Sequence, residues 1–272
     1  MQRKGSLRRS IAAAPHIVWS VLFIVAPLIF VLYYSFTDKS GEFSFGNIRD
    51  LFTPDYMAIF LRSLCFAVIA TAICLLIAYP LAYFLSRMKA HTQGLLIMLI
   101  MLPMWMNLLI RTYCWMNLLE TNGLINTILG TNIRFLGTGG AVILGMVYNF
   151  LPYMVLPICT VISKIDKSLL EAAGDLGCSN LHTMIKVVFP LSLSGVISGI
   201  TMVFVPCIST FYISQKMGGG SFDLIGDTIE RQFMANTNYN MGAALSLVLM
   251  IIVLISMAIM NRFGDEEGAM VV

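Results

Sequence analysis

Lys164-Ile-Asp-Lys-Ser-Leu-Leu-Glu-Ala-Ala-Gly-Asp-Leu-Gly-Cys-Ser-Asn-Leu-His-Thr-Met-Ile-Lys-Val-Val-Phe-Pro190 is the stretch on which the fold of this chain turns. It reads as two short helices. Ser168 and Glu171 have capping-box spacing, so the first helix is expected to begin at Leu169, and Gly177 after Leu176 is a natural left-handed stop. Ser179 can cap a second helix from Asn180, which Pro190 then interrupts by removing a backbone donor. A two-turn helix is marginal alone in water and needs a surface to lean on. Leu169, Leu170, Ala172, Ala173 and Leu176 offer small and apolar contacts, either for a partner or for the bilayer surface.

Outward from this segment the chain becomes strongly apolar. Of its 272 residues, 58% are hydrophobic and 11% charged, and the mean hydropathy is +0.84, which excludes an ordinary water-soluble enzyme. The net charge of +3 is too small for a nucleic-acid footprint. A crossing needs about 20 residues, and six runs qualify: His16 to Tyr34, Ala58 to Leu85, Leu95 to Leu119, Gly140 to Ile162, Val187 to Ile213 and Met241 to Met260. The first is longer than a leader core and has no small-residue cleavage site after it, so it is expected to be retained.

Six spans put both termini on one side. That side would carry ten basic residues (Arg3, Lys4, Arg8, Arg9, Arg87, Lys89, Lys164, Lys167, Lys186, Arg262) against five on the other (Lys39, Arg49, Arg134, Lys216, Arg231), which predicts cytoplasmic termini and a cytoplasmic 164–190 loop. The exterior loops, about Ser35 to Met57, Glu120 to Gly139 and Ser214 to Asn240, hold eight of the fourteen acids and are long enough to form a partner surface.

No Asp or Glu falls in any of the six runs, which argues against ion-coupled carriers, proton relays and aspartyl intramembrane proteases; no HExxH occurs either. Arg62 and Arg111 sit near expected outer helix ends, where snorkelling to the interface is the expectation. His16, His91 and His182 read as interfacial. The six cysteines have no metal-ligand spacing and none lies in an exterior loop, so free thiols are expected and no metal site. Gly195 and Gly199 have the spacing of a close helix-packing face.

Glu171-Ala172-Ala173, three residues, Gly177, nine residues, then Val187-x-Phe189-Pro190 resembles the EAA signature of importer-type ABC permeases, with Val187 and Phe189 in place of the usual Ile and Leu. The resemblance implies an all-α integral membrane protein, a six-helix MetI-like type-1 transmembrane domain with short cytoplasmic coupling helices. It implies a domain over 58–262, preceded by a tail, helix and external loop (1–57) and followed by a cytoplasmic tail (263–272). Glu171, Ala172, Ala173, Asp175, Leu176 and Gly177 would be the residues that couple the bundle to an ATP-hydrolysing subunit.

Shorter matches at Leu108-Leu-Ile-Arg-Thr-Tyr113, Leu151-Pro-Tyr-Met-Val-Leu-Pro157, Phe211-Tyr-Ile-Ser214 and Met217-Gly-Gly resemble the PotB/PotH type of spermidine and putrescine permease. That type implies a bacterial inner-membrane location, a PotA-like ATPase dimer binding ATP and Mg, a PotC-like second permease, and a PotD-like external binding protein. The chain has no Walker A motif, so it is expected to be a non-catalytic subunit without a cofactor of its own. Permeases for iron, sulfate or opines are the alternatives within the class; an ion-coupled carrier is the alternative outside it.

A polyamine is cationic, and with no carboxylate in the spans its hosts would be aromatic faces and carbonyl oxygens. Trp105, Tyr113, Trp115, Tyr148, Tyr153, Phe211 and Tyr212 are the candidates, with Asn149 as a further pathway residue. Each also fits ordinary packing or an interfacial aromatic belt. Phe211 and Tyr212 lead because they follow Pro206, where a broken helix would set side chains across a lumen. Arg111 is an awkward neighbour for a cation and would pair with an acid on another subunit or on the binding protein.

Overall fold

The computed structural model describes residues 14–38 and 40–268, and among these the only extended pairing is one antiparallel bridge, Thr37 to Phe43. Everything else regular is helical: α1 (Ala14–Ser35), α2 (Gly46–Asp50), α3 (Pro54–Ser86), α4 (Ala90–Trp105), α5 (Leu108–Leu119), α6 (Leu124–Leu129), α7 (Gly139–Ile162), α8 (Lys167–Asp175), α9 (180–191), α10 (Leu193–Ser209), α11 (Tyr212–Met217), α12 (Ile225–Met234) and α13 (Tyr239–Gly268). The basic residues Arg3, Lys4, Arg8, Arg9 and Lys39 lie outside the described residues.

Four of the expected spans are single helices, Ala14–Ser35, Pro54–Ser86, Gly139–Ile162 and Tyr239–Met260. The third and fifth are not. The third bends by 91° between α4 and α5, the fifth by 73° between α9 and α10. In the third, Met106 and Asn107 turn extended, and the Asn107 side chain accepts the Leu109 N–H at 2.7 Å, so the helix stops and is recapped within two residues. In the fifth, the disturbance is not at Pro190 itself. A wide π turn over Met184–Val188 precedes it, and the bend falls at Ser192, whose hydroxyl donates to Phe189 O at 3.1 Å and draws that carbonyl out of the ladder. Pro206 breaks nothing, contrary to expectation: α10 runs through it to Ser209, and the chain turns at Thr210.

The chain forms two compact units, one of residues up to Met57 with Thr228–Ile251, the other of Ala58–Asp227 with the residues from Ile252 onward. In the first, α1 is apolar all round and almost none of it is buried within the chain, as expected of a helix whose neighbours are lipid or other subunits. Asn240 ties its connecting loop, donating to Thr37 O at 2.7 Å.

In the second unit, α3 buries a stripe of small side chains: Ser63, Ala67, Ala70, Cys74, Ala78 and Ala82 recur at three- and four-residue spacing. Between membrane helices there is no hydrophobic drive, so close approach through small residues is what gains dispersion contact. The Cys74 thiol reaches Val147 O on α7 at 3.8 Å, and the Tyr79 hydroxyl shares a 3.0 Å hydrogen bond with Ser192. The Gly195/Gly199 face packs α10 on α7 as its spacing predicts. A Cβ on Gly195 would lie 2.9 Å from Pro157 O, and one on Gly199 2.7 Å from the Met154 sulfur.

The stretch read as an exterior loop, Ser214 to Asn240, is packed inside this unit from Ser214 as far as Asp227. Ile213, Ser214, Met217, Leu224, Ile225 and Asp227 are buried. The Asp227 carboxylate accepts from Ser214 Oγ at 2.8 Å and from the Leu224 N–H at 2.9 Å, and the Ile225 N–H donates to Ser63 Oγ on α3 at 2.7 Å. Intervening polar residues hide this apolar content when the sequence is read for long runs.

Candidate functional site

Two regions of the second unit, before and after α10, hold nearly all the candidate residues. The first is the 164–190 loop. Its helix α8 starts two residues earlier than the capping-box reading allows, at Lys167, because Asp166 and not Ser168 is the cap: Asp166 Oδ1 accepts the Ser168 N–H at 3.0 Å. That hydrogen bond holds the Asp166 carboxyl below the ordinary aspartate pKa. At the other end Gly177 takes φ +79°, a left-handed backbone that L side chains rarely adopt. The Cys178 N–H donates to Ala173 O at 3.0 Å and the Gly177 N–H to Gly174 O at 2.9 Å, a complete Schellman closure. Ser179 caps α9 as expected, accepting the His182 N–H at 3.3 Å.

A helix so short and closed at both ends behaves as one piece. Ala173 faces inward and is buried, while Leu169 and Leu176 are exposed, Leu176 by 85%. Ala172 and Asp175 are also on the exposed side. Glu171 and Leu170 border a cavity of about 370 Å³, whose remaining wall is Tyr83, Ser86 and Arg87 from the end of α3, Ile162, Ser163 and Ile165 at the end of α7, and Val188. Arg87 is held by its own helix, with its guanidinium 4.7 Å from the Tyr83 ring centroid and hydrogen-bonded to the Tyr83 hydroxyl. Gln93 links α4 to the α7 terminus by donating to Ser163 Oγ at 2.8 Å. α8 thus sits at the meeting point of three helix ends and still presents a free face.

The second region lies beyond the other end of α10. Phe211 caps α11 without a side-chain hydrogen bond and is 44% exposed. α11 packs on α5 and α7, which brings Tyr212 and Tyr113 together around one ammonium: Lys216 Nζ is 5.8 Å from the Tyr113 ring centroid and 5.9 Å from that of Tyr212. Trp115 meets Tyr148 edge to face at 5.2 Å. Asn149, buried on α7, donates to Gly145 O at 2.8 Å, and its Oδ1 has no partner. Tyr153 leans on Phe150 at 6.4 Å, and Trp105, the last residue of α4, is 74% exposed.

Arg111 lies in the first turn of α5, and its Nε and Nη1 are buried without a hydrogen-bond partner. The 91° bend before α5 is why its place within one straight apolar run did not give its position. Arg62 is half-buried, with its guanidinium 5.7 Å from the Phe222 ring centroid. All six cysteines are free, and no cluster of potential metal ligands occurs among the described residues. Lys216 was missed by the sequence reading, although its place four residues after Tyr212 puts both on one helix face. Asp166 and the small-residue stripe of α3 were missed as well.

Residues 10–265 match the family described as binding-protein-dependent transport system inner membrane component. The chain is similar to the spermidine/putrescine transport system permease protein PotB of Escherichia coli (strain K12), at 39% identity over 246 residues, covering 86% of this chain and 90% of that one. It is similar to PotB of Haemophilus influenzae at 37% identity, covering 86% of each. Among solved structures it resembles a chain of a bacterial alginate ABC transporter in complex with alginate pentasaccharide-bound periplasmic protein, with a TM-score of 0.82 at 14% identity, over 97% of this chain and 96% of that one. That last likeness concerns the fold alone.

Proposed function

We propose that this chain, which belongs to the family of binding-protein-dependent transport system inner membrane components, carries polyamines across the membrane as the permease of an ATP-driven importer. The observation that carries the choice of substrate is the 39% identity to a spermidine/putrescine permease along nearly the whole chain. The 164–190 loop supports the coupling role. Capped at both ends, α8 can transmit a push as a rigid body, with Glu171 and the exposed Ala172, Asp175 and Leu176 meeting an ATPase of the PotA kind and Gly177 fixing where the lever ends.

In this reading both termini and the 164–190 loop are cytoplasmic, and the region around α11 receives substrate from a PotD-like binding protein. The transmembrane domain spans 58–262, and a PotC-like permease supplies the other half of the passage. ATP and Mg stay on the ATPase, and this chain needs no cofactor. Closure of the ATPase dimer moves α8, and with it the ends of α3 and α7 around the 370 Å³ cavity, opening the bundle toward the binding protein. Hydrolysis resets it. Along the path, Asn149 Oδ1 is an acceptor without a donor and suits an ammonium hydrogen bond, while the rings of Tyr113, Tyr148, Phe211 and Tyr212 offer cation–π faces. Trp105, being exposed, suits the membrane interface better.

The test is competition. In cells whose only importer contains this chain, excess unlabelled spermidine or putrescine should abolish labelled putrescine uptake, and sulfate, iron chelates or opines should not. Uptake blocked by one of those solutes and untouched by polyamines would overturn the substrate assignment.

A further inference from the structure

We infer that Lys216 is a tethered stand-in for the substrate's ammonium group, occupying an amine site made by Tyr113 and Tyr212 that an incoming polyamine must take over. This rests on the polyamine reading. The Lys216 ammonium lies 5.8 and 5.9 Å from the two ring centroids, both within the reach of a cation–π contact. The two rings come from different helices, Tyr212 from α11 and Tyr113 from α5, so the site is built by tertiary packing and not by helix spacing alone.

The ammonium also meets the Tyr113 hydroxyl, which in turn meets that of Tyr212. Tyr113 is 47% exposed, so the site is open to a ligand. The chemistry matches, because a lysine side chain is four methylenes ending in an ammonium, as is the aminobutyl arm of putrescine and spermidine. A site that seats one seats the other.

The membrane complex of this chain with its second permease and ATPase, without binding protein, isolates the site from external capture. Labelled putrescine binding is measured by equilibrium dialysis for wild type, Lys216→Met, Tyr113→Leu and the double variant. Removing the competing ammonium should tighten binding by about threefold or more, Tyr113→Leu should weaken it, and Lys216→Met should change nothing in the Tyr113→Leu background. Lys216→Arg, which retains a cation over the rings, should bind close to wild type and serves as the folding control.

An unchanged Kd in Lys216→Met overturns the inference. So does an effect that adds in full to that of Tyr113→Leu, since long-range repulsion would persist without the ring. Should the full importer fail to move putrescine at all, the polyamine reading itself falls, a failure visible in the wild type before any variant is made.

Discussion

The two ends of α10 are built on opposite plans. Before it, α8 is a short helix held by local hydrogen bonds, with Asp166 at one end and the Gly177 closure at the other, and little of it is buried. After it, α11 and the start of α12 are held by tertiary contacts, with Ser214, Asp227 and Ser63 satisfying one another inside the bundle. Locally specified structure can move as a unit without unfolding. Structure specified by tertiary contacts moves only with the helices that hold it. A lever needs the first kind and a substrate-facing wall the second, which is the division of roles proposed for these two regions.

The largest expected effect comes from the seam both ends share. Gly199→Leu would drive a side chain into Met154 and its backbone, and overpacking of this sort costs about 1–3 kcal/mol or more. Loss of a monodisperse, thermally stable subunit in detergent checks it, and both regions should fail together. A variant that disturbed only one of them would show that the seam does not hold both.

Glu171→Lys should spare folding and membrane insertion and lower uptake and transport-linked ATP hydrolysis by about tenfold or more, equivalent to ~1.4 kcal/mol of coupling. Insertion is read by fractionation and coupling by the ratio of substrate moved to ATP hydrolysed. Gly177→Ala is gentler. Forcing a Cβ at φ +79° costs about 1 kcal/mol, and uptake should fall a few-fold without change in assembly.

The smallest effect is at Asp166. Its carboxyl pKa is lowered in the folded chain by the Ser168 N–H, so the cap contributes fully above the unfolded aspartate value and is lost as pH falls through the lowered one. Amide exchange at Ser168 should therefore keep its protection into mild acid in the wild type and lose that pH dependence in Asp166→Asn. Equal pH dependence in both would remove Asp166 as the cap.

The same contrast governs what could be read in advance. α8 was legible, since its signals are local: Glu171-Ala172-Ala173, Gly177 and Pro190 at fixed spacing, and caps within three residues. Even there the cap was misplaced by two residues, because Ser168 with Glu171 imitates a capping box that Asp166 pre-empts. The six apolar runs were legible too, and so was the Gly195/Gly199 seam. The bends were not. Hydropathy is blind to direction, so Met106 and Asn107 look like any other point in an apolar run, and the conspicuous Pro206 proved harmless. Burial of Asp227 and the meeting of Lys216 with Tyr113 depend on how α11 docks, and no periodicity reports that.

The proposed division of labour gives this chain the passage and the lever and another subunit the energy. Its most direct test is labelled putrescine uptake into proteoliposomes holding the complete importer, with ATP present or withheld, beside vesicles holding this chain alone under an imposed ion gradient. Uptake only with the ATPase and ATP is the predicted result. Uptake by the isolated chain, or by the gradient without nucleotide, would contradict it.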